Sequence, residues 1–323
     1  MFVTAVDPRP AATTSYPAPL PDGTAGLRPS VRDVVKAYVG LTKPRIIELL
    51  LITTVPVMFL AAGGVPGLGV VAATLVGGIL AAGSANTINC VLDRDIDEQM
   101  RRTRRRPLPR HAVSPRSATI FGIVLGVLAT LELGLFVNWL SSALALAANA
   151  FYVFGYTMVL KRRTVQNIVW GGIAGCFPTL IGWTAVTNEL AWTPFVLFGV
   201  VFFWTPPHTW ALAMRYRDDY ASVDVPMLPV VATPVATARQ IMAYSVVMVA
   251  TSIALWPVAG TGFVYPLAAI ALGVVFLREA RGLLLRAHTG AEGAALRPMR
   301  LFHFSNIYLA LLFIAAAVDP LLH

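Results

Sequence analysis

The sequence has few charged residues and few cysteines for its length. Only 13% of its 323 residues are charged, while 57% are hydrophobic, and a soluble globular protein has roughly 25% charged residues. This composition excludes an ordinary soluble fold and places the chain in a lipid bilayer. The two cysteines, Cys90 and Cys176, both fall inside apolar stretches, so no disulfide framework of the secreted kind is expected.

The net charge of +9 would suggest a nucleic-acid partner if the basic residues covered a soluble surface. They gather instead between apolar segments, so we interpret them as topology signals and expect no nucleic-acid binding. The first 30 residues are rich in Pro, Ala and Thr and lack the apolar core of a secretory signal. We predict a disordered tail over residues 1–30 and one polytopic membrane domain over residues 31–323.

Nine apolar windows predict the membrane spans. A helix that crosses the hydrocarbon core needs about 20 mostly apolar residues. Such windows begin near Ile46, Leu68, Ala118, Trp139, Ile168, Pro194, Ile241, Gly262 and Phe304. The sequence therefore predicts an all-α integral membrane protein with nine transmembrane helices enclosing a central cavity.

The distribution of Lys and Arg predicts the orientation, because basic residues in short loops mark the cytoplasmic side. Four alternate connections carry nearly all of them, namely Arg94–Arg116, Lys161–Arg163, the turn at Arg215 and Arg217, and Arg278–Arg300. The N-terminus is thus predicted to be cytoplasmic and His323 to lie outside a multi-pass cell membrane. Both acidic loops described below fall on the cytoplasmic side.

Asn89, Asp93 and Asp97 follow one another at four-residue spacing at the end of the second span. On a helix these residues advance by only about 40° per step, so they share one face. Two stacked carboxylates repel each other unless a cation lies between them, and Mg²⁺ prefers such oxygen ligands. We predict a bound metal diphosphate here. The alternative is a solvated loop in which the acids pair with the nearby arginines Arg94, Arg101 and Arg102.

A second acidic group, Asp218, Asp219 and Asp224, follows the sixth span at less regular spacing. Alone it could be only a polar loop, but its position on the same predicted side and the Pro-rich sequel Pro226–Pro229 favour a second metal ion, with Asp219 and Asp224 as its ligands.

Several strings taken together resemble the UbiA superfamily of intramembrane prenyltransferases, and within it the haem O synthase (protohaem IX farnesyltransferase) branch. They are LTKPR (Leu41–Arg45), the DRDID core with its basic sequel (Asn89–Pro109), LKRRTVQN (Leu160–Asn167), WTPPHTW (Trp204–Trp210) and PMLP (Pro226–Pro229). The resemblance covers about Leu41 to Asn306. It implies farnesyl transfer from farnesyl diphosphate to a vinyl group of protohaem IX with addition of water, in cytochrome oxidase cofactor biosynthesis.

The resemblance also implies site residues. One or two Mg²⁺ ions would be held by Asn89, Asp93 and Asp97, with Asp93 and Asp97 counted as catalytic, and protohaem IX would be substrate rather than cofactor. The expected diphosphate donors are Lys43, Arg45, Arg94, Lys161 and Arg217; each of them alone could instead be a topology signal or bind anionic membrane lipid. Enzymes that modify the product haem are further expected partners.

His208 is the most informative single residue, because we expect Pro206 and Pro207 to break the sixth span beside it. It could ligate the haem iron, contact a propionate or take the proton of the added water, or it could only satisfy carbonyls freed by the prolines. Trp204 and His303 are further candidates for haem or prenyl contact, Trp204 also being a candidate packing residue.

One departure concerns Tyr156. Quinone-type relatives place a Tyr four residues before a Lys, whereas Tyr156 precedes Lys161 by five. On an α-helix this moves the tyrosine off the lysine's face, which argues against a role for it.

Two other functions are consistent with parts of the sequence. A member of the same superfamily could prenylate an aromatic quinone precursor, but the strings above argue against this acceptor. A transporter or haem-binding membrane protein could use the acidic face as an ion site, although the repeated broken helices of transporters are not evident.

The predicted topology is tested with two reporter fusions. A reporter after His323 should lie outside the cytoplasm, and one inserted between Arg101 and Arg110 should lie inside, because the basic residues sort to alternate loops. Detection of both reporters on the same side would contradict the nine-span topology.

Overall fold

A computed structural model describes residues 30–322, with the side chains of residues 45, 46 and 48–51 outside the description. The predicted N-terminal tail lies almost wholly outside the described residues. The described part is helical, with no strand in it. Its α-helices, in chain order, are α1 (Val31–Leu41), α2 (Pro44–Ala62), α3 (Leu68–Leu92), α4 (Arg94–Gln99), α5 (Pro115–Phe136), α6 (Trp139–Ala150), α7 (Asn167–Gly171), α8 (Ile173–Thr187), α9 (Trp192–Arg215), α10 (Arg217–Ala221), α11 (Leu228–Val231), α12 (Pro234–Ala259), α13 (Val264–His288) and α14 (Pro298–Val318).

Seven helical segments in the described residues are long and apolar enough to cross a membrane. They are Leu68–Leu92, Pro115–Phe136, Trp139–Leu160, Asn167–Thr187, Trp192–Arg215, Pro234–Ala259 and Pro298–Leu321. The first and eighth predicted spans correspond to α2, of 19 residues, and α13, of 25 residues. In α13 the charges of Arg278, Glu279 and Arg281 interrupt the apolar run. Seven spans are therefore found, and the full nine-span topology stays a prediction.

The helix boundaries follow from capping side chains. Ser114 and Thr233 each accept a hydrogen bond from a backbone N–H of the first turn, and a proline occupies the first position of α5 and of α12. Both features are preferred where the first N–H groups have no helical partner. At the other end, Gly63 and Gly260 terminate α2 and α12 with φ near +60°, a conformation that favours glycine.

The largest apolar core lies in the C-terminal half of the chain, where α9, α12, α13 and α14 pack together. Two fully buried tyrosines in this core satisfy their hydroxyl groups internally. Tyr308 shares a hydrogen bond with the Ser252 hydroxyl, and Tyr265 donates to the Ser252 carbonyl oxygen, each at 2.9 Å. These bonds tie α13 and α14 to α12, because an unpaired hydroxyl is costly in an apolar core.

The expected break at Pro206 and Pro207 is wrong, since α9 runs without interruption from Trp192 to Arg215. Each proline removes only its own N–H from the helix, and freed carbonyls in membrane helices can find other donors.

The end of the Trp139–Leu160 span is a π-helix over Phe151–Leu160, in which the backbone bonds join residues five apart. At its end the Lys161 N–H donates to the Tyr156 carbonyl oxygen at 2.9 Å. Tyr156 and Lys161 are therefore hydrogen-bonded neighbours on successive turns. The expectation that their five-residue spacing separates them on the helix surface is wrong, because it assumed α-helical geometry.

The crossing of α2 and α8 provides a stability test. Gly182 lies against the Thr54 carbonyl oxygen of α2, and a Cβ added at Gly182 would come within 2.6 Å of that oxygen. We expect Gly182→Ala to lower the free energy of unfolding by about 1–3 kcal/mol through overpacking. Gly175→Ala in the same helix is the control, because no heavy atom lies within 4 Å of a Cβ there. Equal melting temperatures for the two variants in detergent would refute this packing.

Candidate active site

Asn89 and Asp93 mark the junction between α3 and α4. The Asp93 N–H donates to the Asn89 carbonyl oxygen, and the Asp97 N–H donates to the Asp93 carbonyl oxygen, both at 2.9 Å. The helical path thus continues across the junction, and the Asn89 amide donates to the Asp93 carboxylate at 2.8 Å. All three side chains are buried, with exposed fractions of 1–3%. The predicted common face is present at the end of a membrane span.

Basic side chains from three other segments surround these acids. Lys161, which follows the π-helix, lies 2.5 Å from Asp93, and Arg106 of the loop after α4 lies 2.6 Å from Asp97. Arg162 lies 3.7 Å from the second Asp93 oxygen. Unpaired buried charges would be strongly unfavourable, so these contacts hold the loops and the helix ends together.

Lys43 approaches the same cluster from the link between α1 and α2. Its ammonium donates to the Asn89 side-chain oxygen at 2.5 Å. Burial lowers the pKa of Lys43 to about 8. Burial alone would also lower the pKa of Arg106, but the charge and hydrogen bond of Asp97, together with the charges of Cys90 and Asp93, outweigh it and raise that pKa.

Asp95 lies apart from the buried acids. It is exposed and accepts two hydrogen bonds from Arg162, both at 2.7 Å. These bonds lower the pKa of the Asp95 carboxyl. Asp93 and Asp97 are thus paired with Lys161, Arg106 and Arg162, and not with Arg94, Arg101 or Arg102 as in the solvated-loop alternative.

The second acidic group contributes one buried residue, Asp219 of α10. Its carboxylate accepts from the Arg101 side chain at 3.1 Å and from the Arg102 backbone at 3.2 Å. Asp219 therefore joins the loop after α4, which also carries Arg106. Asp218 and Asp224 are exposed, and the Asp224 backbone is left-handed with φ of 54°.

Two predicted diphosphate donors lie outside the cluster. Arg94 is exposed and donates to the Val91 carbonyl oxygen at 3.2 Å, and Arg217 is exposed and donates to the Pro229 carbonyl oxygen at 2.9 Å. The Arg45 side chain lies outside the described residues. Lys43 and Lys161 are the predicted donors that the structure brings to the acids.

The predicted metal ligands do not all converge. In the described part of the chain, no three side chains of Asp, Glu, His or Cys are grouped as a metal site. The Asn89, Asp93 and Asp97 subset nevertheless fits Mg²⁺. One Asp93 oxygen, Oδ1, is buried without a hydrogen-bond partner, and the Asn89 oxygen already faces a cation, the Lys43 ammonium. Carboxylate and amide oxygens are the ligand types that Mg²⁺ accepts.

An apolar cavity of about 160 Å³ lies between α3, α6 and α8. It begins beside the acids, because Asn86, one helical turn before Asn89, is part of its wall. Its other lining residues are mostly small or apolar and include Gly78, Ala82, Ala85, Leu133, Ala148, Tyr152, Phe177 and Ile181. The cavity can accept an apolar chain whose polar end is held at the acids.

His208 contacts α14 from its place in α9. Its Nδ1 lies 2.7 Å from the Ser305 hydroxyl, and its ring lies between Trp204 and Phe302, with centroid distances of 4.2 and 4.5 Å. The Ser305 hydroxyl also lies 2.6 Å from the Phe302 carbonyl oxygen, and we assign its hydrogen to this shorter contact. Nδ1 therefore carries the hydrogen that His208 donates to Ser305, and Nε2 keeps its lone pair.

Trp204 and His303, the other two residues predicted to contact haem or the prenyl chain, differ in exposure. Trp204 is buried, and its indole N–H donates to the Ser305 carbonyl oxygen at 2.8 Å, so it packs α9 against α14. His303 is exposed, and its ring lies 5.3 Å from that of Phe302.

Sequence reasoning missed three residues of the cluster, namely Arg106, Thr157 and Arg162. The Asn89 amide donates to the Thr157 hydroxyl at 3.0 Å. Arg106 and Arg162 lie in two of the sequence motifs that resemble the UbiA superfamily, so their place in the site could have been predicted from those motifs. Thr157 lies in an apolar span, where a single hydroxyl gives no signal.

The chain matches the UbiA prenyltransferase family over residues 50–307. A protoheme IX farnesyltransferase from Nocardioides sp. is 68% identical over 295 residues, which are 91% of this chain and 94% of the relative. The protein of the same name from Streptomyces coelicolor is 55% identical over 323 residues, covering 99% of this chain and 100% of the relative.

Solved structures share the fold at low sequence identity. A structure of digeranylgeranylglyceryl phosphate synthase has a TM-score of 0.73 and 16% identity, covering 90% of this chain and 100% of that chain. A UbiA homologue from Archaeoglobus fulgidus bound to DMAPP and Mg²⁺ has a TM-score of 0.61 and 15% identity, covering 87% and 99%.

Proposed function

The chain belongs to the UbiA prenyltransferase family, and on that basis we propose that it transfers the farnesyl group of farnesyl diphosphate to a vinyl group of protohaem IX. The observation that carries this proposal is the high identity, 68% and 55% over nearly the whole chain, to relatives named for this reaction. The bond from farnesyl C1 to the diphosphate oxygen breaks, and the terminal vinyl carbon bonds to C1. The oxygen of water adds to the neighbouring carbon and loses a proton, which gives haem O and diphosphate.

The donor diphosphate is assigned to the buried acid cluster. Lys43 and Lys161 would donate to its oxygens, and Arg106 supplies a further guanidinium beside Asp97. Mg²⁺ would be held by Asn89, Asp93 and Asp97, and when bound it would neutralise the charge on the departing diphosphate. The Mg²⁺ in the A. fulgidus homologue with DMAPP supports this assignment, and Asp219 is the candidate ligand for a second ion.

The farnesyl chain is assigned to the apolar cavity. The cavity starts at Asn86 and is walled by small residues of α3 and by Phe177 and Ile181 of α8. These walls would keep water from the reactive C1 carbon until the vinyl group attacks. The acid cluster then lies on the cytoplasmic side of the cell membrane, as the basic loops predict.

We assign the protohaem to the side of the bundle where His208 contacts α14. A propionate needs a hydrogen-bond donor, whereas Nε2 of His208 is an acceptor because Nδ1 carries the hydrogen. No carboxylate among the described residues contacts His208, so nothing beside it would balance an imidazolium formed by proton uptake. We therefore favour ligation of the haem iron through Nε2, which needs no proton.

Incubation of the purified protein with protohaem, farnesyl diphosphate and Mg²⁺ tests the function directly. Mass analysis of the porphyrin should detect the added farnesyl group and one water. Prenylation of a hydroxybenzoate in place of protohaem would contradict the proposed acceptor, and the absence of diphosphate release would contradict an enzyme of this class.

The acid cluster gives a prediction on turnover. Asp93→Asn and Asp97→Asn should each reduce prenyl transfer by at least about 100-fold, because Mg²⁺ and the leaving diphosphate lose a countercharge. The melting temperature should also fall, because each change leaves Lys161 or Arg106 without its buried countercharge, but both proteins should still insert and fold. Product formation against Mg²⁺ concentration is the measurement, with melting recorded in parallel.

Asp95→Asn is the matched control, because Asp95 is exposed and pairs with Arg162 outside the buried cluster. It should keep most of its activity, as should Asp224→Asn at another exposed carboxylate, while Asp219→Asn should fall between these extremes. Wild-type Mg²⁺ dependence in Asp93→Asn, or inactivity that simply follows unfolding, would remove the metal diphosphate from this site.

His208→Ala should reduce turnover with protohaem more than it weakens farnesyl diphosphate binding, because the donor is held at a separate cluster. It should also shift the Soret band of bound protohaem, while His303→Ala, which changes an exposed neighbour, should not. An unchanged spectrum in His208→Ala would exclude iron ligation, and equal loss of donor binding would place His208 at the diphosphate.

A further inference from the structure

Thr157, a buried hydroxyl in the π-helix, touches the acid cluster through Asn89. We propose that Thr157 is a positioning residue that fixes the direction of the Asn89 amide, so that the Asn89 side-chain oxygen faces the cation accompanying the prenyl diphosphate. This inference rests on the proposed function, because it concerns the same diphosphate site. Thr157 itself would touch neither metal nor substrate.

The hydrogen of the Thr157 hydroxyl is already committed. Thr157 Oγ1 lies 2.9 Å from the Tyr152 carbonyl oxygen, five residues earlier, and a carbonyl can only accept. The hydroxyl therefore donates to Tyr152, and its lone pairs are left for another donor. The group 3.0 Å away on Asn89 must be the amide nitrogen.

Asp93 and Lys43 require the same orientation of the Asn89 side-chain amide. The Asp93 carboxylate, 2.8 Å from Asn89 Nδ2, can only accept, and the Lys43 ammonium, 2.5 Å from Asn89 Oδ1, can only donate. Both amide hydrogens are thus used by Thr157 and Asp93. The side-chain oxygen points to the position of a positive charge.

Of the three partners, Thr157 is the one expected to stay in place when substrate binds. Asp93 and Lys43 carry charge, so an incoming cation and diphosphate will draw them into new contacts. Thr157 is neutral, 2% exposed and tied to the backbone of its own helix. The π-helix makes this possible, because bonds between residues five apart bring the Tyr152 carbonyl to the Thr157 side chain.

The test measures binding rather than turnover. Thr157→Val removes the hydroxyl and keeps the shape, and binding of the slowly reacting analogue farnesyl thiolodiphosphate to the purified full-length protein is followed against Mg²⁺ concentration. The Mg²⁺ concentration at half-maximal binding should rise about 10-fold or more, as for other residues that orient metal ligands. Thr157→Ser keeps the hydroxyl and should restore the wild-type Mg²⁺ dependence.

Thr87→Val is the matched control. Thr87 is fully buried in α3, two residues before Asn89, and its hydroxyl donates to the Gly83 carbonyl oxygen at 2.8 Å. Its loss removes a similar hydroxyl without touching the amide, so the Mg²⁺ dependence should stay at the wild-type value. Unchanged Mg²⁺ dependence in Thr157→Val, an equal change in Thr87→Val, or failure of Thr157→Ser to restore binding would each overturn the positioning role. Binding by the wild type that ignores Mg²⁺ would instead overturn the metal assignment itself, and the positioning role with it.

Discussion

Two carboxylates buried at the end of a membrane helix are the constraint on which the site depends. Asp93 and Asp97 are 1% and 2% exposed, and an uncompensated buried charge is strongly destabilising. Compensation comes from parts of the chain that are distant in sequence, through Lys161 after the π-helix and Arg106 in the loop after α4. These ion pairs hold the two loops against the end of the helix. The resulting site contains both hydrogen-bond acceptors and donors, as binding of a metal diphosphate requires.

The local arrangement of the acids could be predicted from spacing alone. Residues four apart on a helix share a face, and Asn89 does bond to Asp93. The partner of each acid could not be derived in this way, because Arg106 reaches Asp97 only through the conformation of a loop in which six arginines lie within ten residues. Composition places arginine beside the acids, but tertiary structure selects which arginine makes the contact. Tertiary structure likewise leaves Arg94 and Arg217 exposed and outside the acid cluster.

The expectations for Tyr156 and for the proline break in α9 were wrong because the pattern of apolar residues does not reveal which backbone hydrogen bonds a helix makes. The π-helix alters the turn by about one residue, so Tyr156 and Lys161 are bonded neighbours in spite of their five-residue spacing. The two prolines of α9 leave the helix continuous, since a helix packed among others tolerates the loss of single N–H donors. The π-helix lies next to residues assigned to the diphosphate, which agrees with the frequent use of π-helical turns at functional sites.

The proposed binding sites of the two substrates lie on different helices. The acid cluster and the cavity are built largely from α3, α6, the π-helix and α8, whereas His208 is held by α9 and α14. The Gly172 backbone of the link between α7 and α8 packs closely on Thr205 of α9, and this contact joins the two groups. Under the proposed mechanism, a carbocation formed at the cavity mouth must meet the vinyl group before it meets water. If the two substrates bind as proposed, the packing of the α7–α8 link against α9 sets the distance between donor and acceptor, on which the reaction rate depends.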